Sequence, residues 1–551
     1  MVKRMILEYI KATRSFIIQV PRAQSDLVQR LMTEHGLDFS QPASTPEMAV
    51  LYTQEPYAAC AFGQYATPRA REALGGLLEI IETSRAQTSN ISIALPPDKE
   101  LWDFQKANLA YILPREHSLV ADEPGLGKTP TAIAFANEIK ANDVLVLCPA
   151  NIRFQWARKI SEWSTMTWPY YCHVITNGKR GVHPTQTGKP GWNIVSYDLA
   201  RTPAIGAALA QGRYDLLILD EAHYLKTSDS KRTQALFGGS KTLTFGAISQ
   251  RSSRILALTG TPLPNRPREA YTLARNLCWD SIDWLSEEKF RERFNPSLLR
   301  ENQKPTGEVV RFVDERTGRA PELQARLRGN FMARHLKREV MTQLKLPVYD
   351  IIQLEDTGPV KQALLAESLL GIDPESLEGA DAMILGHVSE VRKMMGIALA
   401  PQVADYVEML LGGGEEKLVL FGHHREVLNI LQERLGKYGL VRIDGSTSPR
   451  QREANVKAFQ EDPGIRIILG NLLAMGVGTD GLQHVCNHVL IAEPDWTPGN
   501  NIQAIDRLDR GGQKLVVQAD IFVAPNSFAE RILAAALRKL QTTHAALDRR
   551  L

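Results

Sequence analysis

Two α/β lobes in tandem, behind a small α+β domain, are the fold that the sequence predicts. Three observations carry it: apolar runs of strand length come in two sets, each run is followed by a helical pattern or a polar loop, and a glycine-rich loop ending in Lys-Thr precedes the first set. The first set is Val144–Cys148, Ile194–Tyr197, Leu216–Leu219 and Ile255–Leu258. The second is Leu418–Phe421, Val441–Ile443, Ile465–Leu469, Val489–Ala492 and Ile521–Ala524. Runs this continuous read as strands buried on both faces of parallel sheets.

Taken in order, residues 1–95 read as the α+β accessory domain. Ile6–Ile10, Ser15–Val20 and Met48–Thr53 are strands, Gln24–Glu34 a helix, and a second helix runs from Pro68 to about Glu82, capped by Thr67 with proline at its first position. The first 100 residues hold 3 Lys and 7 Arg against 3 Asp and 8 Glu, so this segment is not a basic arm. The first lobe covers 96–347. Its stretch from about 280 to 345 is charged and mixed, with Phe290 and Phe294 one helical turn apart, and reads as a helical insertion. Gly412–Gly414 makes a loop before the first clear strand of the second lobe, which covers 348–551.

Composition narrows the class. Of 551 residues, 44% are hydrophobic and 23% charged, which excludes a disordered or collagen-like chain. The unbroken apolar stretches fall short of the ~18 residues of a membrane helix, and Glu8, Lys11 and Arg14 interrupt any signal-peptide core. The expectation is therefore a protein without membrane association. Five cysteines contain no CxxC pair, which argues against a zinc module or disulfide framework and for a reducing, cytoplasmic setting. A net charge of +3 leaves nucleic-acid binding to local sites.

Chemistry enters with Ala121-Asp-Glu-Pro-Gly-Leu-Gly-Lys-Thr129, after Leu119-Val120 and before a helical run. Gly125, Leu126 and Gly127 let the backbone close around phosphates, Lys128 reaches the β/γ oxygens, and Thr129 offers a hydroxyl to Mg²⁺. The strict phosphate-loop pattern has glycine where Asp122 stands. Alone, the loop also fits a glycine-rich turn beside a helix. Asp220-Glu-Ala-His223, directly after Leu216–Leu219, changes the balance. Asp220 at a strand's end can hold Mg²⁺, and Glu221 can orient an attacking water. Gln503–Gln513 reads as a helix with Arg507 and Arg510 on one face, supplying positive charge for phosphoryl transfer.

At this point the chain resembles a Swi/Snf-type ATPase of helicase superfamily two, over about 100–535. Phe104-Gln105 resembles the adenine-reading element, Ala121–Thr129 motif I, Leu147–Trp156 motif Ia, and Val195-Ser-Tyr197 a strand-end motif of the family. Asp220–His223 resembles motif II, and Leu258-Thr-Gly-Thr-Pro262 with Asn265 motif III. Phe331–Val340 with Leu346-Pro347 resembles the family's RRxKxxV…LP connector. Leu418–His423, Val441–Thr447, Gly476–Asp480 and Gln503–Gln513 follow as the second lobe's motifs. Val391–Pro401 and Phe522–Phe528 are similar to the distant branch that includes annealing helicases. Pro124, Thr497 and Asp509 depart from the family pattern, where Met, Asn and His are usual.

The resemblance implies two RecA-like lobes, ATP and Mg²⁺ as cofactors, and DNA, duplex or forked, as partner. It implies that Gln105 reads adenine; that Gly125, Leu126, Gly127, Lys128 and Thr129 cradle phosphates; and that Asp220 and Thr129 hold Mg²⁺. Glu221 would activate water, Arg507 and Arg510 act at the γ-phosphate, Asp480 help the second lobe grip nucleotide, and Thr259 and Thr261 couple the site to DNA. DNA would lie near Pro149, Asn151, Arg153, Gly260, Asn265, His423, Gly445, Ser446 and Thr447, through phosphate contacts that carry little sequence information. The expected activity is a DNA-dependent ATPase that tracks along duplex DNA, in fork remodelling, strand annealing or protein displacement. The alternatives are a strand-separating DNA or RNA helicase and a nucleotide-switched scaffold with little turnover. Residues 1–95 either select DNA structures, brace the first lobe or bind a protein partner.

Other signals read as structural. Gln483–His488 fits a buried strand end better than a metal site, and His423-His424 a loop after a strand. Trp156, Trp163 and Trp168 fit packing, and Arg549-Arg550 a frayed end.

Overall fold

The computed structural model describes residues 5–21, 25–35, 37–40, 44–166, 171–176, 191–239, 245–263, 266–303, 309–315, 319–341, 345, 347–370, 382–475, 479–495, 498–531 and 533. Asn265, Thr497, Trp168, Leu346, Arg549-Arg550 and the 476–478 part of one second-lobe motif lie outside them. The described residues form two compact units. One runs through Glu123 and from Gly127 to His335; the other runs onward from Leu336 and includes the loop tip Pro124–Leu126.

The first unit opens with an antiparallel sheet of β1 (Ile6–Ile10), β2 (Ser15–Pro21), β3 (Asp38–Phe39) and β4 (Met48–Thr53), in the order β1-β2-β4-β3. The helix expected from Pro68 to Glu82 is two helices, Pro68–Ala73 and Leu77–Thr83. Thr67 caps the first through the Ala70 N–H, and the chain then turns through Gly75 and Gly76 at φ of 57° and 80°. Backbone of that hand ends a helix, and glycine reaches it without strain.

A parallel sheet of seven strands follows: β5 (His117–Val120), β6 (Asp143–Cys148), β7 (Tyr171–Val174), β8 (Gly191–Ser196), β9 (Tyr214–Asp220), β10 (Ser252–Leu258) and the short β13 described below, in the order β13-β5-β10-β9-β6-β8-β7. Val144 to Cys148 of central β6 are at most 1% exposed, so both faces are covered and the unbroken apolar run is explained. The insertion read as helical has Glu287–Phe294 and Ala320–Asn330 as helices, but it also holds an antiparallel hairpin of β11 (Ser297–Gln303) and β12 (Val309–Glu315). The β-branched and aromatic residues Val309, Val310, Phe312 and Val313 were the missed strand signal. The insertion returns to the sheet as β13 (Met332–Ala333), parallel to β5.

The N-terminal domain is built against this unit. Pro56–Cys60 and Leu77–Thr83 lie on the helix Ala320–Asn330. Arg326, 1% exposed, joins Glu322, Glu55 and Asp283 there.

The second unit has a six-stranded parallel sheet: β14 (Val348–Gln353), β15 (Leu418–Gly422), β16 (Leu440–Ile443), β17 (Ile467–Asn471), β18 (His488–Ile491) and β19 (Gln518–Val523), in the order β14-β19-β18-β15-β17-β16. Two parallel sheets with their helices give the tandem α/β lobes expected. One helix, within Ala382–Gly412, passes the length and composition test for a membrane span over Gly386–Gly412. Its Met395, Leu399, Val403, Val407 and Leu411 are buried in the second lobe's core, which accounts for its apolar character.

Candidate active site

Register decides what meets at the carboxyl edge of the first sheet. Leu258 of β10 pairs with Val120 of β5 on one side and with Asp220 of β9 on the other. Ala333 of β13 pairs with Val120 as well. The glycine loop, the Asp-Glu-Ala-His segment, the Thr-Gly-Thr segment and the connector therefore leave the sheet side by side. Parallel α/β sheets bind ligands at that edge.

The loop's shape follows from its sequence. Gly125 and Gly127 have φ of 86° and 71°, and a Cβ on Gly127 would collide with the Gln105 amide. The helix Lys128–Glu138 begins directly after Gly127, so its first N–H groups face the loop. Lys128 Nζ donates to the carbonyls of Asp122 at 2.7 Å and Glu123 at 3.2 Å. Gln105 accepts from the Trp102 N–H at 3.0 Å and donates to the Gly127 carbonyl at 3.2 Å, tying the helix Asp103–Ile112 to the loop. Thr129 is half-buried in the first helical turn, and Leu126 is fully buried.

Asp122 accounts for the missing glycine. Its carboxylate, fully buried, accepts from the Asn108 amide at 2.6 Å and from the His335 N–H at 2.8 Å, with the His335 ring Nδ1 at 3.1 Å. One side chain thus joins the loop's base to the preceding helix and to the connector. Arg334 next to it, 4% exposed, donates to the carbonyls of Ala121 at 2.6 Å and Gly260 at 3.4 Å.

Asp220 is 7% exposed. Trp156 Nε1 donates to its Oδ2 at 2.7 Å, and the Glu221 N–H to its Oδ1 at 2.9 Å. Burial, and then the neighbouring Glu221, push its carboxyl from 3.8 up to about 7, against the opposing effects of the Trp156 bond and Lys128. Glu221 adopts left-handed backbone at φ 52°, the sharp turn that ends β9. His223 Nδ1 stands 3.1 Å from Glu221 Oε2, 3.1 Å from Thr259 Oγ1 and 3.5 Å from Thr261 Oγ1. The acidic segment and the Thr-Gly-Thr segment are thereby joined through one imidazole.

In the second unit the arginine segment is not a helix. The helix Pro498–Ile505 ends before it, and 506–510 form turns. Arg507, 8% exposed, donates to the carbonyls of Gln503 and Thr479, both at 3.2 Å. Arg510 donates to the Asp506 carbonyl at 2.8 Å and to Asp480 Oδ1 at 3.0 Å. Asp480, Arg507 and Arg510 are thus brought together, by the turn rather than by a shared helix face.

The residues expected to meet DNA are placed unevenly. Pro149 and Asn151 lie in the turn after β6, while Arg153 donates to the carbonyls of Ala150 and Ile175, a structural use of its charge. Gly260 follows β10. His423 follows β15, its N–H held by Glu493 Oε2 at 2.7 Å; the same carboxylate holds His424, so this loop is braced. Gly445, Ser446 and Thr447 follow β16 in a turn organised by Asp444, whose Oδ1 accepts from the Ser446 N–H and hydroxyl. Those bonds hold its carboxyl below the usual range. Trp156, Asp122, His223, Asp444 and Glu493 are the contributors that sequence reasoning missed. Asp122 was signalled by standing where the phosphate-loop pattern has glycine, His223 by closing the Asp-Glu-Ala-His segment; Glu493 carried no signal.

The family model described as SNF2-related domain matches residues 104–358, and that described as helicase conserved C-terminal domain matches 402–512. Over 468 residues the chain is 30% identical to a Bos taurus protein named DNA annealing helicase and endonuclease ZRANB3, covering 82% of this chain and 41% of that one. It is 28% identical over 445 residues to the Xenopus tropicalis protein named SWI/SNF-related matrix-associated actin-dependent regulator of chromatin subfamily A-like protein 1, covering 77% and 42%. Among solved structures, the Sulfolobus solfataricus SWI2/SNF2 ATPase core in complex with dsDNA matches at 16% identity with a TM-score of 0.38, covering 84% of this chain and 99% of that one. The chain spans about two fifths of the length of these two curated relatives.

Proposed function

The chain belongs to the SNF2-related ATPase family, and from that premise we propose that it is an ATP-driven motor on duplex DNA. The observation that carries the proposal is the pairing of Leu258 with both Val120 and Asp220, which brings the strand ends before the glycine loop and at the Asp-Glu-Ala-His segment level at one edge of the sheet, with Lys128 near enough to favour the charged form of Asp220. Left-handed glycines in the loop, and a buried carboxylate raised by burial and by the neighbouring Glu221, suit a nucleotide carrying magnesium. Thr129 and Asp220 are the residues that would hold the ion, which when bound supplies charge to the phosphates. Lys128 turns from the loop carbonyls to the β/γ-phosphates, and Gln105, fixed at the loop, borders the base. Glu221 orients water for attack. Arg507 and Arg510 supply positive charge at the γ-phosphate; charge of this kind is worth roughly 10³–10⁵ in rate. Thr259 and Thr261, through His223, pass the state of the site to DNA.

DNA is proposed to lie along Pro149, Asn151, Gly260 and Asn265 of the first lobe and His423, Gly445, Ser446 and Thr447 of the second. Uncharged contacts of this kind fit the net charge of +3. Relatives named annealing helicase favour fork remodelling or strand annealing over strand separation. Five cysteines without a CxxC pair fit a reducing compartment, which we read as the cytoplasm of a prokaryotic or phage-infected cell. The test is ATP turnover without DNA and with single-stranded, duplex and forked DNA. Stimulation by duplex or fork, abolished in Lys128→Ala, is expected. Turnover indifferent to DNA would overturn the motor, and efficient strand separation in a gel assay would replace it with a helicase.

A further inference from the structure

Lys337 opens the short helix Lys337–Val340 of the connector, with its side chain 11% exposed. Its ammonium donates to the Asp509 carboxylate Oδ2 at 2.7 Å, to the Asp509 carbonyl at 2.6 Å, and to the Asp506 carboxylate. These two aspartates flank Arg507-Leu508, and Asp509 immediately precedes Arg510. Arg510 in turn donates to the Asp506 carbonyl. The regular helix ends at Ile505; the Asp509 N–H still reaches the Ile505 carbonyl at 3.2 Å, but the Arg510 N–H turns to the Leu508 carbonyl at 3.1 Å, so the helical pattern is lost where Arg510 stands. Asp509 stands where the resembled pattern has histidine. Its carboxylate gives the buried lysine a second anion, and the two aspartates hold Lys337 charged against the cost of burial.

We propose that Lys337 is a positioning residue for phosphoryl transfer: by clamping Asp506 and Asp509 it fixes the turn that presents Arg510. The inference rests on the ATPase reading above. An arginine that acts on the transferring phosphoryl must be placed to within a fraction of an ångström, and misplacement by about 1 Å can cost ~100-fold. The turn packs against Gly125, where an added Cβ would lie 2.9 Å from the Arg510 Cβ, but Lys128 is held separately by the Asp122 and Glu123 carbonyls, so the loss falls on turnover more than on nucleotide binding.

The experiment compares Lys337→Met, Lys337→Arg and Asp509→Asn in the full chain by kcat and KM for ATP with saturating duplex DNA, beside Kd for a nonhydrolysable ATP analogue and thermal unfolding. Lys337→Met is expected to lower kcat by about tenfold or more, with KM and Kd within about twofold, as for misplacement of a reacting group. Lys337→Arg keeps the charge and is expected to recover most of the loss, while Asp509→Asn, which leaves Asp506 in place, falls between. Removing one partner of a buried pair can unfold a protein. If Lys337→Met does not fold, Asp509→Asn decides: a lowered kcat at unchanged Kd supports the clamp, and wild-type kcat overturns it. Wild-type kcat in a folded Lys337→Met, or equal losses in Met and Arg, overturns it too. A wild-type protein without ATP turnover would instead overturn the ATPase reading itself.

Discussion

The His335 N–H donates to Asp122 Oδ1 at 2.8 Å, joining the connector to the base of the phosphate loop. Asp122 also accepts from Asn108, and all three groups are buried. Asp122→Gly, which restores the common loop pattern, is therefore expected to weaken the protein. It strands the Asn108 amide and the His335 N–H, each costing roughly 1–3 kcal/mol. Urea unfolding should show the lower midpoint, with a raised KM for ATP. A variant as stable as wild type would mean that water or a shifted backbone replaces the carboxylate.

Asp220 gives a pH signature. Burial and Glu221 raise its carboxyl from 3.8 to about 7, so between those pH values the folded protein holds a proton that the unfolded chain has released. Its contribution to stability is then highest below 3.8 and falls as pH rises to about 7. Asp220→Asn removes that dependence. Without nucleotide or Mg²⁺, the variant should exceed wild type by roughly 2–4 kcal/mol at pH 8, with the gap closing toward pH 4. Urea midpoints across this range check it, and a gap constant with pH would refute it.

The two arginines should separate. Arg510→Ala is expected to fold and bind nucleotide as wild type does but to lose roughly 10³-fold or more in turnover. Arg507, buried against the Gln503 and Thr479 carbonyls, has a structural share, so Arg507→Ala should lower thermal stability as well. A severe Arg507→Ala beside a mild Arg510→Ala would move the finger role to Arg507.

Glu221→Gln is expected to bind ATP and Mg²⁺ and to turn over poorly. Glutamine keeps the size of the side chain and its φ of 52°, and it loses the charge that orients water. It should trap a DNA-bound state, visible as slower release in a filter or gel assay. Hydrolysis at the wild-type rate would place the water-orienting role elsewhere.

What the sequence made legible follows from what is periodic. Strands such as Val144–Cys148 and Leu418–Phe421 are buried on both faces, so their apolar runs stand out, and the phosphate loop and Asp-Glu-Ala-His segment sit at their ends. The arginine turn was read as a helix because Gln503–Leu508 has a helical pattern. The clamp from Lys337, some 170 positions earlier, is a tertiary contact that local pattern does not encode. Trp156 read as packing because its one polar atom meets Asp220 only after β6 and β9 are paired. The break at Gly75-Gly76 was visible as a dipeptide but lay inside an amphipathic stretch.

Residues 1–95 bear the last expectation. Near-equal charge, 10 basic and 11 acidic residues in the first 100, does not favour phosphate binding. The structure gives the segment an inward task. Glu55 meets Arg326 at 3.0 Å and Arg293 at 3.2 Å, the Tyr57 hydroxyl meets Asn330, and the Ala86 carbonyl faces the His335 ring at 2.9 Å. That ring also touches Asp122, so the accessory domain reaches the base of the phosphate loop through one histidine. Deleting 1–95 should therefore uncover the helix Ala320–Asn330 and yield an aggregating or readily unfolded protein rather than a motor with altered DNA choice. A milder probe is Arg326→Met, which leaves the fully buried Glu322 with less compensation. Breaking a buried pair costs roughly 3–5 kcal/mol, and Arg293, which also pairs with Glu322, should hold the loss toward the lower end. Thermal unfolding and light scattering of both variants, beside turnover on linear and forked duplexes, separate the readings. A well-folded truncation that hydrolyses ATP normally and loses only its preference for forks would refute the brace and make the domain a reader of DNA structure.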